Sequence, residues 1–361
     1  MQSITNPWRD KGLPAEAELA DGTVSQYPEM AETFLVRSLD KRPTPLLDLP
    51  ELATACGIGA LHVKDERGRM GLGSFKALGA AYAIAKRAGQ KLKDGSASSY
   101  ETALEGTTFV CASAGNHGLS LAAGAPAVGA KAVVFVAETV PEAFVVRLQL
   151  RGAKVIRAGA TYEDSMREAE KQALENGWIQ IPDSTWPGMT EAGRDVMEGY
   201  LIMGLEIADQ ITAPPTHVFL QAGVGGLAAA CAVSARLTWG SNVQIVVVEP
   251  DDAPALKASV EAGRPVVAPG SVSIMGRLDC KEPSHLALKY LAREADAFVT
   301  ISDDEAAATT EWLTRNGLAS TPSGAAGLSA LHYAKGPLAA ALNLNAQSRV
   351  LCYLSEGPED G

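Results

Sequence analysis

The sequence has few of the residues that build disulfide frameworks or metal sites. Its 361 residues include five cysteines and five histidines, and no two cysteines have C-x-x-C spacing. An odd cysteine count argues against a disulfide scaffold, and no cysteine–histidine cluster has structural zinc spacing, so we predict no metal site. We expect the cysteines to be buried apolar thiols in a reducing compartment, the cytoplasm. They are Cys56, Cys111, Cys231, Cys280 and Cys352.

Positive charge and long apolar segments are also scarce. Lysine and arginine number 31 against 42 acidic residues, a net charge of −11. This balance opposes phosphate backbones and acidic membrane surfaces, so we expect neither nucleic acid nor a membrane as a partner. The N-terminal segment has no apolar core of a secretory signal. The stretch from Val218 to Ala235 carries no charge, but its glycine and alanine content favours a buried strand, loop and helix over a membrane span.

Apolar segments of strand length alternate with helical segments along most of the chain. This alternation predicts an α/β fold with mainly parallel, buried strands. The chain also exceeds the length at which one core usually stops growing, so we expect two domains. The predicted strands are Thr108–Cys111, Ala132–Val136, Lys154–Arg157, His217–Gln221, Gln244–Val248, Ala297–Ile301 and Val350–Leu354, and two clear helices are Tyr162–Asn176 and Gly225–Leu237.

A glycine-rich turn places one lysine at the start of a predicted helix. The string Gly71–Lys76 (GLGSFK) lies between a strand-like His62–Lys64 and the helical segment Ala77–Lys86. The partial positive charge at a helix N-terminus lowers the pKa of a nearby lysine, which makes its amine a better nucleophile toward a carbonyl. We therefore predict a nucleophilic Lys76; the alternative is an ordinary solvated lysine.

Three further strings follow predicted strands. They are Ala112–Gly118 (ASAGNHG), Gln221–Leu227 (QAGVGGL) and Leu354–Gly357 (LSEG). The first two each open a helix, so their backbone N–H groups suit an anion such as a carboxylate or phosphate. The third presents a neutral hydroxyl at Ser355. Because parallel sheets bind ligands beyond the carboxyl ends of their strands, we expect the four strings to meet at one site.

Each loop also has a simpler interpretation when taken alone. Asn116 could cap the helix that it begins. The Gly223–Gly226 turn is also compatible with a dinucleotide site, because Glu249 ends the next strand where a ribose-binding carboxylate could lie. A nicotinamide-dependent oxidoreductase is therefore an alternative, as is a non-catalytic protein that only binds a cofactor.

The four strings, in this order, resemble the fold type II family of pyridoxal-phosphate enzymes, the tryptophan synthase β-subunit-like group, from about Arg42 to Gly357. The resemblance implies pyridoxal 5′-phosphate as cofactor, bonded to Lys76 beside Phe75. Asn116 would contact the 3′-oxygen of the cofactor ring and Ser355 its pyridine nitrogen. The cofactor phosphate would be held by Gly223, Val224, Gly225, Gly226 and Leu227. The substrate carboxylate would be bound by Ser113, Ala114, Gly115, Asn116 and His117.

The family resemblance also implies an architecture and an assembly. Two three-layer α/β domains with mainly parallel sheets would enclose the cofactor in the cleft between them. The large domain would be discontinuous, comprising residues 1–88 and 187–361, and the small substrate-loop domain would span 89–186. A homodimer is expected.

Within the family, the chain looks most like the diaminopropionate ammonia-lyases. The strings that carry this likeness are Val63–Glu66, Phe219–Gly225, Val248–Asp251, Ile274–Pro283 and Ser355–Gly357. Asp183, in the string Asp183–Gly188 (DSTWPG), would supply a second catalytic group, although a turn aspartate is the simpler interpretation. Those enzymes carry aspartate where this chain has Ala114, which makes the loop similar to that of threonine and serine dehydratases.

The resemblance therefore implies a lyase with a small amino acid as substrate. We expect α,β-elimination from a β-substituted L-α-amino acid of the 2,3-diaminopropionate type, giving a 2-oxo acid and ammonia. The alternative within the family is a dehydratase of serine, threonine or a β-aryl serine, which would use the same chemistry.

Overall fold

A computed structural model describes residues 1–35 and 42–358, and in these ranges helices and strands alternate as predicted. The strands are β1 (Gln2–Thr5), β2 (Leu46–Asp48), β3 (Ala60–Asp65), β4 (Thr108–Ala112), β5 (Lys131–Val136), β6 (Ala153–Arg157), β7 (Ile179–Gln180), β8 (His217–Gln221), β9 (Gln244–Pro250), β10 (Ala297–Ile301) and β11 (Arg349–Leu354).

The α-helices of the described residues range from six to twenty residues. They are α1 (Pro28–Leu35), α2 (Pro50–Cys56), α3 (Gly79–Lys93), α4 (Asn116–Gly124), α5 (Glu142–Gln149), α6 (Tyr162–Asn176), α7 (Glu191–Gln210), α8 (Gly226–Trp239), α9 (Ala255–Ala262), α10 (His285–Glu294), α11 (Asp303–Arg315), α12 (Ala326–Tyr333) and α13 (Gly336–Ala341). Short 3₁₀ turns lie at Glu16–Glu18, Glu66–Gly71, Phe75–Leu78, Pro126–Val128 and Gly240–Asn242.

The larger sheet has seven strands in the order β1-β10-β9-β8-β11-β3-β2. Its five central strands are parallel, and only the edge strands β1 and β2 run antiparallel to their neighbours. Apolar side chains cover both faces: Val218 and Leu220 pack in one core, and Phe219 between them packs in another. Burial on both faces explains why these strands appear in the sequence as unbroken apolar runs.

The smaller sheet has four parallel strands in the order β6-β5-β4-β7. On one face, Val110 and Phe135 form a small core with Ala169 and Ala173 of α6. The other face contributes Cys111 to the main core, which also contains Val218 and Leu220 of the larger sheet. One hydrophobic core therefore joins the two sheets, with α3 packed against both α4 and α7.

This architecture confirms the predicted α/β fold with mainly parallel sheets. The charge-free stretch from Val218 to Ala235 is strand β8, a glycine loop and most of α8, and no helix among the described residues is long and apolar enough to cross a bilayer. The strands of the smaller sheet lie inside residues 89–186, and those of the larger sheet lie outside them. The exact division into two domains stays a prediction.

Candidate active site

Lys76 and Asp183 form the central pair of the site. Lys76 lies in the 3₁₀ turn Phe75–Leu78, which begins where the Ser74 hydroxyl accepts the Lys76 N–H. Asp183 follows β7 in the smaller-sheet region, and its Oδ2 lies 2.7 Å from Lys76 Nζ. About a quarter of each side chain is exposed, 24% and 28%. The pair is thus sheltered but accessible to a small molecule.

The structure corrects the predicted acidity of Lys76. Burial by itself lowers the pKa of this amine, as a helix N-terminus would, but the Asp183 carboxylate outweighs it and the pKa lies above its usual value. The pKa of Asp183 is shifted the opposite way: burial raises it, and the Lys76 ammonium holds it below the usual range. Without a bound cofactor, the two groups are therefore an ammonium and a carboxylate at neutral pH.

Two contacts of Phe75 fix the lysine turn. The Phe75 ring, which is buried, meets the Tyr200 ring edge-on with 4.9 Å between their centroids. The Phe75 N–H donates to the Ser355 carbonyl at 3.0 Å, which joins the turn to the end of β11. The lysine turn and the LSEG string therefore lie side by side, as the sequence predicted.

The loop after β4 presents a helix N-terminus. Ser113 Oγ accepts the N–H groups of Gly115 and Gly118 at 3.2 and 3.1 Å, which closes the loop onto the first turn of α4. No acceptor in the described part of the chain takes the N–H groups of Asn116 and His117. Ala114 is exposed at the tip of this loop. The open N–H groups of Asn116 and His117 and the partial positive charge at the start of α4 suit a carboxylate.

His117 is placed behind this loop rather than on its surface. Its side chain is 2% exposed, and Nε2 lies 2.8 Å from the Ile181 carbonyl. Burial lowers the pKa of His117, so the ring is neutral and donates from Nε2 to Ile181. Among the described residues Nδ1 has no hydrogen-bond partner. The ring thus ties α4 to the segment that carries Asp183, and only the His117 backbone is available to a ligand at the helix start.

The glycine loop after β8 is shaped to accept an anion. Gly225 has φ of +99°, a conformation that favours glycine, and α8 begins at the next residue. A Cβ atom at Gly223 would lie 3.1 Å from both Cys280 Sγ and the Arg277 carbonyl. In the described part of the chain, no acceptor takes the N–H groups of Gly225, Gly226 or Leu227. These three donors at the start of a helix form a cup for a phosphate. Val224 is half-buried beside them.

Cys280 corrects the prediction that all five cysteines are buried. All five thiols are free, and four are buried, but Cys280 is partly exposed beside the glycine loop. Burial and, to a smaller extent, the Asp183 carboxylate raise the pKa of its thiol, Lys76 opposes them, and the resulting pKa is about 11. The thiol is therefore neutral at physiological pH.

Ser355 is a buried hydroxyl whose orientation is set by an amide. Its side chain is 5% exposed, and its Oγ lies 3.1 Å from Gln221 Nε2. The same amide nitrogen lies 2.9 and 3.1 Å from the backbone carbonyls of Gly324 and Tyr353, so three acceptors share its two protons and it faces Ser355 only as a donor. Because Ser355 Oγ accepts from Gln221, its own proton is free to donate to a ligand. Sequence analysis did not assign this function to Gln221.

Glu356 is the functional candidate that sequence analysis missed. Its Oε2 accepts from Asn116 Nδ2 at 2.6 Å and lies 3.0 Å from Arg277 Nε, and its Oε1 accepts from Thr321 Oγ1. The carboxylate therefore connects the loop after β4 to the end of β11. The sequence did contain one signal for this residue, since Glu356 directly follows Ser355 in the LSEG string.

The structure also removes the basis of the dinucleotide alternative. Glu249 is completely buried, and its two carboxylate oxygens accept the N–H groups of Leu256 and Lys257 at 2.7 and 2.8 Å. The carboxylate caps the first turn of α9 and cannot also reach a ribose.

Comparison with known proteins identifies the family. A family model described as a pyridoxal-phosphate dependent enzyme matches residues 37–356. The chain belongs to the pyridoxal-phosphate dependent enzymes. It is 33% identical over 353 residues to the diaminopropionate ammonia-lyase of Escherichia coli (strain K12). The alignment covers 92% of this chain and 88% of the ammonia-lyase. It is 26% identical to a serine dehydratase-like protein of Mus musculus, over 74% of each chain.

A solved structure agrees with this assignment. The crystal structure of the diaminopropionate ammonia lyase from Escherichia coli in complex with D-serine superposes with a TM-score of 0.86 at 30% sequence identity, covering 99% of this chain and 93% of that chain. These comparisons confirm the predicted family, its cofactor and its reaction class. The chain is a pyridoxal-phosphate-dependent lyase that performs elimination.

The residues of the site fit this cofactor. The open N–H groups of Gly225, Gly226 and Leu227 would hold its phosphate, and the hydroxyl of Ser355 would donate to its ring nitrogen. Lys76 offers an amine for its aldehyde, and Asn116 an amide beside the ring. When bound, pyridoxal phosphate withdraws electrons from the Cα atom of an amino acid, which weakens the Cα–H bond.

Proposed function

We propose that this lyase removes the β-substituent of an L-α-amino acid of the 2,3-diaminopropionate type and releases ammonia and a 2-oxo acid. The observation that carries the proposal is the 2.7 Å pair of Lys76 Nζ and Asp183 Oδ2 at the meeting point of the four motifs. Elimination needs a base for the Cα proton and an acid for the leaving group. An amine and a carboxylate in contact supply both.

Each group of the pair has a proposed task. In its neutral form the amine of Lys76 takes the Cα proton of the substrate, and Asp183 Oδ2, 2.7 Å away, stabilises the ammonium that forms. Asp183 or the resulting ammonium donates a proton to the departing β-amine, which leaves as ammonia. Water outside the site then converts the unsaturated product to the 2-oxo acid and a second ammonia.

The surrounding residues position the substrate and tune the reaction. We propose that the N–H groups of Asn116 and His117 and the hydroxyl of Ser113 hold the α-carboxylate, with Ala114 and Gly115 forming the surface of the loop. Ser355, a neutral donor, leaves the ring nitrogen unprotonated, which favours expulsion of the β-group over transamination. Because Ala114 carries no acid, Asp183 is the one carboxylate proposed to act on the substrate, which favours a single Cα configuration.

A dehydratase acting on a β-hydroxy amino acid is the second candidate. Ala114 is the observation that favours it, since this position of the loop carries no acid for a β-amino leaving group. The similarity to a serine dehydratase-like protein also supports it. The acid–base pair would act in the same way, with water as the leaving group.

A substrate panel separates these candidates. The holoenzyme is assayed for ammonia and 2-oxo acid with both enantiomers of 2,3-diaminopropionate, with L-serine, L-threonine and a β-phenylserine. We expect the highest kcat/KM with L-2,3-diaminopropionate and a strong preference for L over D. A higher kcat/KM with any β-hydroxy amino acid would establish the dehydratase, and no product from any of them would refute elimination from these substrates.

We further propose that the lyase is a cytoplasmic homodimer. The five free thiols support a reducing compartment. The loop after α9 exposes Val267, Val272 and Ile274 at 64%, 85% and 52%, which supports a subunit contact there. Light scattering of the purified holoenzyme should give twice the mass of one chain. A monomer at micromolar concentration would contradict the dimer.

A further inference from the structure

A small polar cavity opens beside Asn116. Its volume is about 150 Å³, which is enough for a carboxylate or a similar small group. Polar and charged side chains form most of its wall, including three guanidinium groups. The polar and charged residues of the wall are Arg67, Arg147, Arg277, Asn116 and Glu356.

Among the described residues, two of the three guanidinium groups that line the cavity lie against a carboxylate and one does not. Arg67 makes two 2.8 Å hydrogen bonds to the carboxylate of Asp65, and Arg277 Nε lies 3.0 Å from Glu356 Oε2. Arg147 differs: no carboxylate of the described residues forms an ion pair with it, and its guanidinium lies 5.8 Å from the centre of the Phe144 ring. An anion that enters the cavity would therefore meet a half-buried guanidinium that no described carboxylate already neutralises.

The cavity belongs to the same cleft as the substrate loop. Glu356 accepts from Asn116, which begins α4 at the smaller sheet, and Asn116 itself lines the cavity. Arg147 lies on α5, also at the smaller sheet, whereas Arg67 and Arg277 come from segments around the larger sheet. A group held here would contact both sides of the cleft, next to the residues proposed to bind the α-carboxylate.

We propose that this cavity binds an acidic group on the substrate side chain, so that the preferred substrates are β-amino or β-hydroxy α-amino dicarboxylic acids. The inference rests on the proposed elimination. The guanidinium of Arg147 matches a carboxylate in both charge and planar geometry. A substrate with a second carboxylate at Cβ pairs with this charge, whereas 2,3-diaminopropionate and serine have no acidic group at Cβ to do so.

The reaction of such a substrate is balanced. With 2,3-diaminosuccinate, the Cα–H and Cβ–N bonds break, the β-amine leaves as ammonia, and a Cα–Cβ double bond forms. Hydrolysis by one water then gives a 2-oxo dicarboxylic acid and a second ammonia. With 3-hydroxyaspartate, one water leaves, one is taken up, and a single ammonia is released.

Two matched pairs of amino acids test the proposal. The holoenzyme is assayed with 2,3-diaminopropionate against 2,3-diaminosuccinate, and with serine against 3-hydroxyaspartate, using L-configured Cα and both Cβ configurations. Within each pair only the second carboxylate differs. We expect the dicarboxylate to have at least a tenfold higher kcat/KM. Arg147→Gln should lower this ratio roughly 10- to 100-fold, as expected for loss of a charge-assisted hydrogen bond.

Arg151→Gln is the matched control. Arg151 lies one turn further along, donates to the Gly71 carbonyl and does not line the cavity. The Arg151→Gln variant removes the same charge as Arg147→Gln and should leave the ratio of the two kcat/KM values unchanged. A wild-type preference for the monocarboxylates would overturn the proposal. An equal loss of kcat/KM on both members of a pair in Arg147→Gln would also overturn it, because the cavity would then hold the α-carboxylate. Weaker cofactor binding in Arg147→Gln would overturn it as well.

Calorimetry with non-reacting amino acids separates this proposal from the elimination itself. If no amino acid yields ammonia, the proposed function fails, but binding of L-aspartate and L-alanine to the holoenzyme still tests the cavity. We expect tighter binding of L-aspartate in wild type and loss of that advantage in Arg147→Gln. Equal affinities for the two amino acids in wild type would overturn the inference.

Discussion

At the scale of single residues, the ion pair of Lys76 and Asp183 fixes two protonation states before a ligand arrives. The pKa of Asp183 is lowered, so its stabilising contribution is complete above the usual carboxyl pKa and is lost as pH falls through the lowered value. The pKa of Lys76 is raised, so its contribution is complete below the usual lysine pKa and is lost as pH rises through the raised value. The pair therefore persists across the neutral range.

Asp183→Asn tests the acid–base role of this carboxylate. The amide carries no charge to stabilise the Lys76 ammonium and no acidic proton for the leaving group, so kcat/KM on the best L-substrate should fall by about 10² to 10⁴. In the cofactor-free protein the pKa of Lys76 should also drop, because burial is then opposed by no carboxylate. The measurements are steady-state rates and the pH dependence of Lys76 modification by an amine-reactive reagent.

Asp195→Asn is the control for the loss of a sheltered carboxylate. Asp195 Oδ1 lies 2.7 Å from Lys86 Nζ, and this pair is part of a separate cluster with Glu198 and Tyr82. This variant should keep the wild-type kcat/KM. If Asp183→Asn retained that rate as well, Asp183 would be a turn residue and Lys76 would carry out the proton transfers alone.

Sequence could indicate candidate residues but not all of their partners. Lys76, Asn116 and Ser355 were selected because each occurs in a short local pattern. Glu356 and Gln221 were not assigned functions, because Asn116 meets Glu356 across 240 residues of sequence and Gln221 meets Ser355 across 134. The pKa of Lys76 was predicted in the wrong direction for the same reason: Asp183 is 107 residues away.

At the scale of structural elements, the site is built from strand–loop–helix units whose loops leave N–H groups open. Gly225 is the residue on which the proposed phosphate-binding loop depends most. Its φ of +99° strains any other residue, and a Cβ there would lie 3.1 Å from Ala287 and Leu256. A side chain would shift the loop and with it the N–H groups of Gly226 and Leu227.

Gly225→Ala should therefore weaken cofactor binding at least tenfold and lower the free energy of unfolding by about 1–3 kcal/mol. Cofactor titration followed by absorbance and chemical denaturation of the cofactor-free protein measure the two effects. Gly177→Ala is the matched control, because Gly177 ends α6 with φ of +65° and has nothing within 4 Å of a Cβ. Gly177→Ala should lower the free energy of unfolding without changing cofactor affinity. Equal cofactor affinity in both variants would contradict the role of the loop.

Whether a strand could be predicted from the sequence depended on how much of it is buried. Every strand predicted from an unbroken apolar run is present, because such runs arise where helices cover both faces of a parallel sheet. Strands β1, β2 and β7 were not predicted. The first two are short antiparallel edge strands with partly exposed residues, and β7 has only two residues, so none leaves a long apolar run.

At the scale of the whole molecule, one core joins two sheets, and the proposed catalytic pair spans them. Lys76 comes from the segment after β3 of the larger sheet, and Asp183 comes from the segment after β7 of the smaller sheet. The length and the strand–helix alternation predicted the fold class and two domains. They could not predict which edges of the two sheets meet, because that depends on how α3, α4 and α7 pack in the shared core.

The covalent attachment of pyridoxal phosphate to Lys76 is the most direct test of the whole account. The purified holoenzyme is reduced with borohydride, digested and mapped by mass spectrometry. We expect the pyridoxyl label on the peptide that contains Lys76. Lys86→Gln, which removes a lysine of another ion pair, should leave the label in place, whereas Lys76→Ala should abolish both the label and turnover. A label on any other lysine of the wild-type holoenzyme, or ammonia release by Lys76→Ala, would contradict the account.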